Sequence, residues 1–265
     1  MPKLLVRPEG ETGRVIHVTP ESAGWSYVGF DLVKLAAGES ASGGESGRET
    51  CLVVVSGRAS VKAGGAALGE IGGRKSPFDG PAPAAYVPAG VAWTVTADEP
   101  TELAVCTAPG TGAGTARIIG AEEMGKETRG RGTNVRHVTN ILPETDPTAE
   151  SLLVVEVITP GGHTSSYPPH KHDRDALPAE SMLEETYYHR LNPPQGFAFQ
   201  RVYTDDGAID EAMVVKDGDT TLVPKGYHPV AAIHGYDLYY LNVMAGPKRI
   251  WKFYNAPEHE WLLKA

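Results

Sequence analysis

Short apolar runs separated by turn residues dominate the hydrophobic pattern of this chain. Such runs occupy residues 51–55, 92–96 and 103–106 in the first half, and residues 152–158, 197–203, 211–215 and 238–243 in the second. They are rich in branched and aromatic residues and are bounded by Gly, Asp-Gly and Pro, which is typical of strands and turns. Few segments show helical periodicity over about 12 residues. Many short strands without interleaved helices predict an all-β fold, either a sandwich or a barrel.

Composition narrows the class of protein. The 265 residues suit two ordinary domains or one large β domain. The net charge of −9 argues against nucleic acids and anionic membranes as partners, since both favour a basic surface. No signal-peptide run opens the sequence, and no apolar stretch is long enough to span a membrane. Cys51 and Cys106 are too few for a disulfide framework, so we expect a cytoplasmic protein with two free thiols. A Cys51–Cys106 disulfide is the less favoured alternative.

A group of histidines in the second half points to a metal site. His170 and His172 are two residues apart, so on a strand both rings point to the same face. Glu185 and His228 follow in strand-like segments further along the chain. Three histidines and one carboxylate on β-strands predict a divalent-metal site with room for a small ligand. Two exposed loop histidines are the alternative interpretation of the first pair. Zinc, manganese, iron(II) and nickel all suit these ligands.

The choice of Glu185 over its neighbour Glu184 depends on alternation and on a weak internal repeat. Strand alternation lets only one of the two carboxylates face the cavity. In each half a Glu-Thr pair opens a strand, and a Val-Pro-x-Gly turn follows at a similar interval. We match Glu185 to Glu49 of the first half, and Tyr187 then shares the face of Glu185. In the same comparison, Trp93 of the first half lies near the position that corresponds to His228.

The repeat predicts two related β domains, of which only the second kept its metal ligands. We expect the boundary between about residues 110 and 140, where residues 110–114 and 130–134 are linker-like. We assign residues 1–125 to a metal-free N-terminal domain and residues 126–265 to a metal-binding C-terminal domain.

Neighbouring polar residues receive weaker assignments. Lys171, between two predicted ligands, must point to the opposite face and is expected at the surface. His189 shares the Glu185 face, where we favour a packed or hydrogen-bonded role. Gln200 and Arg201 lie on opposite faces of one strand, among aromatic residues. An arginine in such surroundings needs an anionic partner, either a structural carboxylate or an anionic substrate, and both stay open.

These residues resemble a known family. Gly162, His170, His172 and Glu185, followed by Gly218-Asp-Thr-Thr-Leu-Val-Pro-x-Gly-x-His228, are similar to the two motifs of a cupin. The surrounding sequence is similar to the 5-deoxy-glucuronate isomerases of inositol breakdown, most densely from about residue 134 to residue 254. The segments that carry this similarity are Ser165-Ser-Tyr-Pro-Pro-His-Lys-His-Asp173, Tyr187-Tyr188, Leu191-Asn-Pro-Pro-Gln-Gly-Phe-Ala-Phe-Gln-Arg-Val-Tyr203, Gly226-Tyr-His-Pro-Val230 and Tyr236-Asp-Leu-Tyr-Tyr-Leu-Asn-Val-Met-Ala-Gly246.

Two features depart from the general cupin pattern. Twelve residues separate His172 from Glu185, and a single residue separates Gly226 from His228. We expect the insert, residues 173–184, to form a lid or a rim loop.

The resemblance implies a bicupin: two tandem β-barrel (jelly-roll) domains with few short helices, and one divalent metal ion, zinc or manganese, in the C-terminal barrel. It also implies an aldose–ketose isomerase that converts 5-deoxy-D-glucuronate to 5-dehydro-2-deoxy-D-gluconate in myo-inositol catabolism. The implied metal ligands are His170, His172, Glu185 and His228. The implied catalytic residues are Glu185 and Tyr187, and the candidate substrate contacts are Arg201, Gln200 and Tyr240. Proton transfer through an enediol and a metal-assisted hydride shift both stay open.

Two other functions also stay open, a metal-dependent cupin dioxygenase and a non-catalytic sugar-binding bicupin. Oxygen consumption with a substrate would favour the first. In the second, His170→Ala would leave ligand affinity unchanged. The expected partner is a small sugar acid, with no nucleic acid and no membrane. Since exposed strand edges of such barrels are often covered by a second subunit, we also expect a homo-oligomer.

Overall fold

The computed structural model describes residues 3–264 as an antiparallel β protein with few helical turns. The strands of the first half are β1 (Leu5–Val6), β2 (Gly13–Val18), β3 (Gly29–Leu35), β4 (Ser40–Gly43), β5 (Arg48–Ala63), β6 (Ala66–Arg74), β7 (Ala84–Val87), β8 (Trp93–Ala97), β9 (Thr101–Pro109) and β10 (Arg117–Ile119). Those of the second half are β11 (Gly125–Arg129), β12 (Arg136–Leu142), β13 (Leu153–Thr159), β14 (Thr164–Ser165), β15 (His170–Lys171), β16 (Asp173–Ala176), β17 (Glu180–Met182), β18 (Glu184–Asn192), β19 (Phe197–Tyr203), β20 (Asp210–Lys216), β21 (Thr220–Val223), β22 (Val230–Ala232), β23 (Asp237–Ala245) and β24 (Tyr254–Asn255).

Helical structure is limited to short segments. These are the α-helical turn α1 (Pro20–Ala23) and the 3₁₀ segments Pro77–Asp79, Gly132–Asn134 and Pro257–Leu263. Within residues 3–264, no helix is long and apolar enough to cross a membrane. The predicted all-β class is confirmed.

Two large sheets stack face to face in the middle of the molecule. The first-half sheet has the order β10-β7-β5-β9-β3-β2, and the second-half sheet has the order β1-β21-β18-β23-β13-β12-β11. Between them lies a core built from both halves, in which the ring of Phe30 stacks on that of Tyr188 with centroids 5.8 Å apart. Each sheet also covers a second core inside its own barrel. Because the central strands are buried on both faces, several of them contain continuous apolar runs instead of alternation, such as residues 51–55 of β5 and 238–241 of β23.

The two barrels close in different ways. In the first, the beginning of β5 pairs with β7 and β9, and its end pairs with β6 and β8. Gly57 lies at the bend with φ +95°, and a Cβ there would collide with the Pro100 carbonyl oxygen, so only glycine fits. In the second, a separate sheet with the order β14-β22-β19-β20 covers the core.

One strand crosses from the first half into the second-half sheet. In β1, Leu5 pairs with Thr221 and Val6 pairs with Thr220 of β21. β10 is the last strand of the first-half sheet, and β11 is the next strand along the chain and belongs to the second-half sheet. The domain division after residue 125 stays a prediction, and β1 is the segment that pairs on the other side of it.

Two carboxylates join the halves in a reciprocal manner. Glu49 of β5 accepts the backbone N–H groups of residues 150–152 at 2.6–2.8 Å. Glu184 of β18 accepts the backbone N–H groups of residues 26–28 at 2.7–3.1 Å. Within residues 3–264, three ion pairs also join the halves: Arg74–Glu156, Arg117–Asp146 and Arg190–Glu102.

The two cysteines lie in the core between the sheets. Cys51 of β5 and Cys106 of β9 are opposite each other in the strand register, and both are buried and free. Burial raises the pKa of both thiols, so they stay protonated and unreactive near neutral pH. The prediction of free thiols is confirmed.

Candidate metal centre

Three of the four predicted ligands meet inside the second barrel. Ligand atoms of His172, Glu185 and His228 all lie within 4.8 Å of one another, and all three side chains are buried. Oε2 of Glu185 is 3.2 Å from Nε2 of His172 and 3.3 Å from Nε2 of His228. The carboxylate therefore lies between the two rings, in the arrangement that a shared cation requires.

Backbone carbonyls fix the orientation of both rings. Nδ1 of His172 donates to the carbonyl oxygen of Leu183 at 3.0 Å, and Nδ1 of His228 donates to that of Gly226 at 2.8 Å. Because a carbonyl only accepts, each Nδ1 carries a proton, and Nε2 is the ring nitrogen that faces Glu185 and is placed to bind a metal. Nε2 of His228 has no hydrogen-bond partner in the described part of the chain. Two buried ring nitrogens that converge on a carboxylate fit a divalent metal ion.

His170 lies beside this group at its outer edge. Its ring centroid is 5.0 Å from that of His228 and 6.4 Å from that of His172, and the ring packs on Phe253 at 4.6 Å. The set of ligand atoms within 4.8 Å does not include it. Burial, reinforced by the neighbouring histidines, lowers its pKa well below the usual range, so the imidazole is neutral and can act as a ligand.

The two neighbouring glutamates of β18 face opposite ways, as alternation requires. Glu185 faces the metal group, whereas Glu184 faces the first half of the chain and binds the N–H groups of residues 26–28. Of the two carboxylates that the sequence left as candidates, only Glu185 is therefore within reach of the histidines.

The strand register corrects the internal repeat by one residue. Thr50 lies opposite the valine of the Val-Pro-x-Gly turn in the first half, just as Glu185 lies opposite the valine of the same turn in the second. Glu49 therefore corresponds to Glu184, and both accept backbone N–H groups from the other half. The match of Glu49 to Glu185 was wrong, because a shift of one residue exchanges the faces of a strand.

The same register identifies the first-barrel residues at the positions of Glu185 and His228. Counting from the aligned valines, Ala92 stands at the place of His228, and Trp93 lies one residue further on. With Thr50 in place of Glu185, the first barrel lacks both the carboxylate and the last imidazole at the corresponding positions.

A small chamber adjoins the metal group. It has a volume of about 30 Å³, and its polar lining includes Arg129, Arg136, His170, Glu185, Tyr187 and Tyr240. Both arginines and His170 also line an outer cavity of about 810 Å³. The inner chamber is too small for a six-carbon sugar acid, whereas the outer cavity is large enough for one.

Arg136 lines both the chamber and the outer cavity, but it was not among the residues predicted from the sequence. It lies on β12 and donates to the backbone and side-chain oxygens of Asn134 at 3.1 and 3.2 Å. Among residues 3–264 it forms no ion pair, although it is partly buried. Arg129 is paired with Glu127 at 2.6 Å and covers the ring of Trp251. Three arginines within eight residues of a chain with net charge −9 were the available signal, but this glycine-rich segment was interpreted as a linker.

Arg201 does not reach the chamber. It lies on the outer face of β19, where it donates to both oxygens of Asp210 at 2.7 and 2.9 Å and covers the ring of Tyr203 at 4.1 Å. Its side chain is 47% exposed. Of the two partners left open in the sequence, the structure places a structural carboxylate beside it.

The other predicted contacts divide into two groups. The rings of Tyr187 and Tyr240 are 4.9 Å apart at the chamber, and the Tyr187 hydroxyl lies 3.0 Å from that of Ser166. Burial raises the pKa of both phenols, so they act as hydrogen-bond donors at neutral pH. Gln200 lies deeper in the barrel, 3.1 Å from Nε2 of His189, and does not line the chamber. The hydrogen-bonded role predicted for His189 is confirmed.

The insert between the ligands is an ordered hairpin. β16 and β17 pair with each other, and the buried carboxylate of Glu180 accepts the N–H of Asp173 and the guanidinium of Arg174, both at 2.8 Å. The predicted rim loop therefore has its own strand pairing and a buried acceptor.

Proteins with similar sequences extend over almost the whole chain. A protein named 5-deoxy-glucuronate isomerase from Geobacillus kaustophilus (strain HTA426) is 55% identical over 256 residues, which is 96% of this chain and 92% of that protein. One with the same name from Bacillus subtilis (strain 168) is 49% identical over 253 residues, covering 95% and 93% of the two chains.

Solved structures agree with this similarity. An IolB-like protein from Salmonella typhimurium LT2 superimposes with a TM-score of 0.96 at 53% identity, over 98% of this chain and 99% of that chain. Oxalate decarboxylase from Lactobacillus farciminis gives a TM-score of 0.69 at 12% identity, over 100% and 91% of the two chains. That likeness concerns the fold alone and, with the two stacked barrels, confirms the predicted bicupin.

The family model matches nearly every described residue. The model of the KduI/IolB family covers residues 4–262, which includes both barrels and all four predicted ligands. Relatives near 50% identity also extend over nearly the full length of this chain. Because both comparisons agree, the chain belongs to the KduI/IolB family.

Proposed function

We propose that this chain is a 5-deoxy-glucuronate isomerase, an intramolecular oxidoreductase that converts 5-deoxy-D-glucuronate to 5-dehydro-2-deoxy-D-gluconate in myo-inositol catabolism. The observation that carries the proposal is the buried His172–Glu185–His228 group, which adjoins an arginine-lined cavity. The names of the relatives, at 49–55% identity and more than nine-tenths coverage, support the substrate.

We propose one divalent ion, zinc or manganese, as the cofactor. His172, Glu185 and His228 would hold it, with His170 as the fourth ligand. Bound there, the ion would polarise the sugar carbonyl and the adjacent hydroxyl, which makes the proton on the carbon between them more acidic. Burial lowers the pKa of His228 to about 4 and that of His170 well below its usual range, so both rings are neutral and suit this role, whereas the hydrogen bond to Glu185 outweighs burial at His172 and raises its pKa.

The proton and the carboxylate of the substrate need residues of the chain itself. Glu185 is the one carboxylate among the described residues that line the chamber, so we assign to it the transfer of the proton between adjacent carbons through an enediol. The protonated phenols of Tyr187 and Tyr240 donate hydrogen bonds to the sugar oxygens. Arg136, which forms no ion pair in the described chain, replaces Arg201 as the residue that binds the substrate carboxylate.

Elemental analysis together with an isomerase assay tests the function. We expect about one zinc or manganese per chain, loss of activity on chelation and recovery when metal is added. Deuterium at C2 of the substrate should exchange with water if Glu185 carries the proton, and should be retained if a hydride shift operates. A metal-free protein that still isomerises 5-deoxy-glucuronate would contradict the cofactor, and oxygen uptake would support the dioxygenase alternative.

A pair of arginine variants tests the carboxylate site. Arg136→Met removes a charge-assisted hydrogen bond to the substrate, so kcat/KM should fall by about 10- to 100-fold, mainly through KM. Arg201→Met is the matched control and should change kcat/KM less than twofold, because its partner is Asp210. The opposite ranking would restore the original assignment of Arg201.

We also propose a cytoplasmic homo-oligomer. The two free thiols support a reducing compartment. Phe197, Phe199 and Val214 are 37–46% exposed on the outer face of β19 and β20, where Phe199 and Val214 are cross-strand neighbours. Such an apolar patch favours burial against a second subunit. Light scattering should therefore give a mass above 28.2 kDa, and a monomer at micromolar concentration would contradict the proposal.

A further inference from the structure

Lys171, between two of the predicted ligands, is buried and not at the surface. It points away from the metal group, as alternation predicted, but only 3% of the residue is exposed. Its ammonium group donates to Asp205 at 2.6 Å and to Asp173 at 3.1 Å, and it lies 5.5 Å from the centre of the Tyr227 ring. Burial alone would lower the pKa of Lys171, but the two aspartates outweigh it and raise the pKa. A buried charge with two carboxylate partners is a specific arrangement, because such a charge is costly when it is unpaired.

Asp173 links this lysine to the turn that carries His228. One carboxylate oxygen accepts from Lys171, and the other accepts the backbone N–H of Gly226 at 2.8 Å. The carbonyl of the same glycine accepts from Nδ1 of His228 at 2.8 Å. A continuous chain of hydrogen bonds therefore runs from Lys171 through Asp173 and Gly226 to a ligand ring.

Gly226 is restricted to this conformation. It has φ +94°, and a Cβ at this position would collide with the carbonyl oxygen of Tyr203. The Tyr227 hydroxyl donates to Asp205 at 2.9 Å, so the residue next to His228 joins the same network from the other side.

Strand pairing does not provide this link. In the described chain, β15 pairs with β24, β16 pairs with β17, and Tyr227 bridges to Tyr203. None of these ladders joins residues 170–173 to residues 226–228, although the two segments carry three of the four predicted ligands. Their relative position therefore depends on side chains, and the Asp173 carboxylate makes the direct hydrogen bond between the two segments in the described chain.

We propose that Asp173 is a positioning residue that fixes His228 relative to His170 and His172, with Lys171 as its buried counter-charge. This inference rests on the proposed metal site and deepens it. Residues around metal ligands orient the first ligands, and their loss commonly costs about 10- to 100-fold in metal affinity. Because Asp173 lies on the side of the strand away from the chamber, it acts through the ligands and not on the substrate.

The experiment uses Co²⁺ as the probe in the full-length protein. The dissociation constant is measured by competition with a chelator, and the visible spectrum is recorded at saturating Co²⁺. The variants are Asp173→Ala, Asp173→Asn and Lys171→Met. Lys225→Met is the matched control, since Lys225 is an exposed lysine next to Gly226.

We expect Asp173→Ala to raise the Co²⁺ dissociation constant by about 10- to 100-fold and to change the ligand-field spectrum at saturation. Asp173→Asn and Lys171→Met should give smaller changes in the same direction, and Lys225→Met should match the wild type. If Asp173→Ala does not fold, Asp173→Asn decides by the same two measurements.

Wild-type affinity and spectrum in the Asp173 variants would overturn the inference, even if their melting temperatures fall, because Asp173 would then be merely structural. A wild-type protein that binds no Co²⁺, or that does not isomerise the substrate with any divalent metal, would instead contradict the proposed function.

Discussion

A substitution of Glu184 tests whether the reciprocal carboxylates, Glu49 and Glu184, hold the two halves of the protein together. Its carboxylate accepts three backbone N–H groups of the first half, from Ser26, Tyr27 and Val28, at 2.7, 2.7 and 3.1 Å. Glu184→Ala removes all three acceptors at once. We expect the free energy of unfolding to fall, because the donors lose their partners while the fold keeps them in place.

The magnitude follows from the burial of the three donors. Val28 is fully buried, so its N–H group loses its hydrogen bond outright, at a cost of about 1–3 kcal/mol. Tyr27 is half-buried and Ser26 is exposed, so water can replace the carboxylate and each should cost about 0.5–1 kcal/mol. Burial raises the pKa of Glu184 despite these contacts, so removing the carboxylate also recovers some of its desolvation cost. The net loss should be about 2–3 kcal/mol.

Urea denaturation, followed by tryptophan fluorescence and by far-UV circular dichroism, gives this difference. A chelator is present throughout, so that metal bound beside the neighbouring Glu185 does not contribute. Coincidence of the two signals checks that unfolding is cooperative. Glu211→Ala is the matched control, since this exposed glutamate lines the same surface cavity and its side chain makes no hydrogen bond within residues 3–264.

The control should change stability by less than about 0.5 kcal/mol. A loss below about 1 kcal/mol for Glu184→Ala would refute the reasoning, because the three N–H groups would then be satisfied without the carboxylate.

Three further predictions concern stability. Burial lowers the pKa of His189 to about 3, against about 6.5 in the unfolded chain. At pH values between about 3 and 6.5, the unfolded state therefore binds one proton more than the folded state at this residue. Stability should therefore rise with pH across this window by up to about 1.4 kcal/mol per pH unit, and His189→Gln should give a flatter slope in urea unfolding of the metal-free protein. Arg74→Met leaves Glu156 buried without its cation and should cost about 3–5 kcal/mol, whereas adding Glu156→Gln should recover part of that loss. Chelation should lower the melting temperature, because metal at about 1,000 times its dissociation constant adds about 4 kcal/mol, and an unchanged scan would contradict a site that exists only in the folded protein.

The strands and most of the candidate ligand group could be predicted from the sequence because both depend on local features. Apolar runs between turn residues locate strands whatever lies around them, and the spacing of His170 and His172 needs only the two-residue period of a strand. The choice between Glu184 and Glu185 was harder. β18 is buried on both faces, so its hydrophobic pattern does not indicate which face is the barrel interior. Glu185 was selected partly through a match to Glu49 that the register corrects.

The position of Arg201 could not be predicted for a related reason. Phe197, Phe199, Arg201 and Tyr203 share one face of β19, and large aromatic residues normally mark the buried face. Here that face is the outer one, and the smaller Ala198, Gln200 and Val202 point inward. A patch that favours burial against another subunit has the same sequence pattern as a core. Arg136 was missed because only tertiary structure brings its glycine-rich segment to the chamber.

The pairing of β1 with β21 has a consequence for synthesis. Leu5 is made before its partner Thr221, which is added more than 200 residues later. At about 5–20 residues per second, the ribosome takes about 10–40 seconds to cover that interval. During this time the strands of the first barrel can pair with one another, but β1 has no partner strand. The edge of the second-half sheet is therefore completed only after β21 has been made, and a nascent chain that stalls before β21 would leave residues 5 and 6 open to pairing with another molecule.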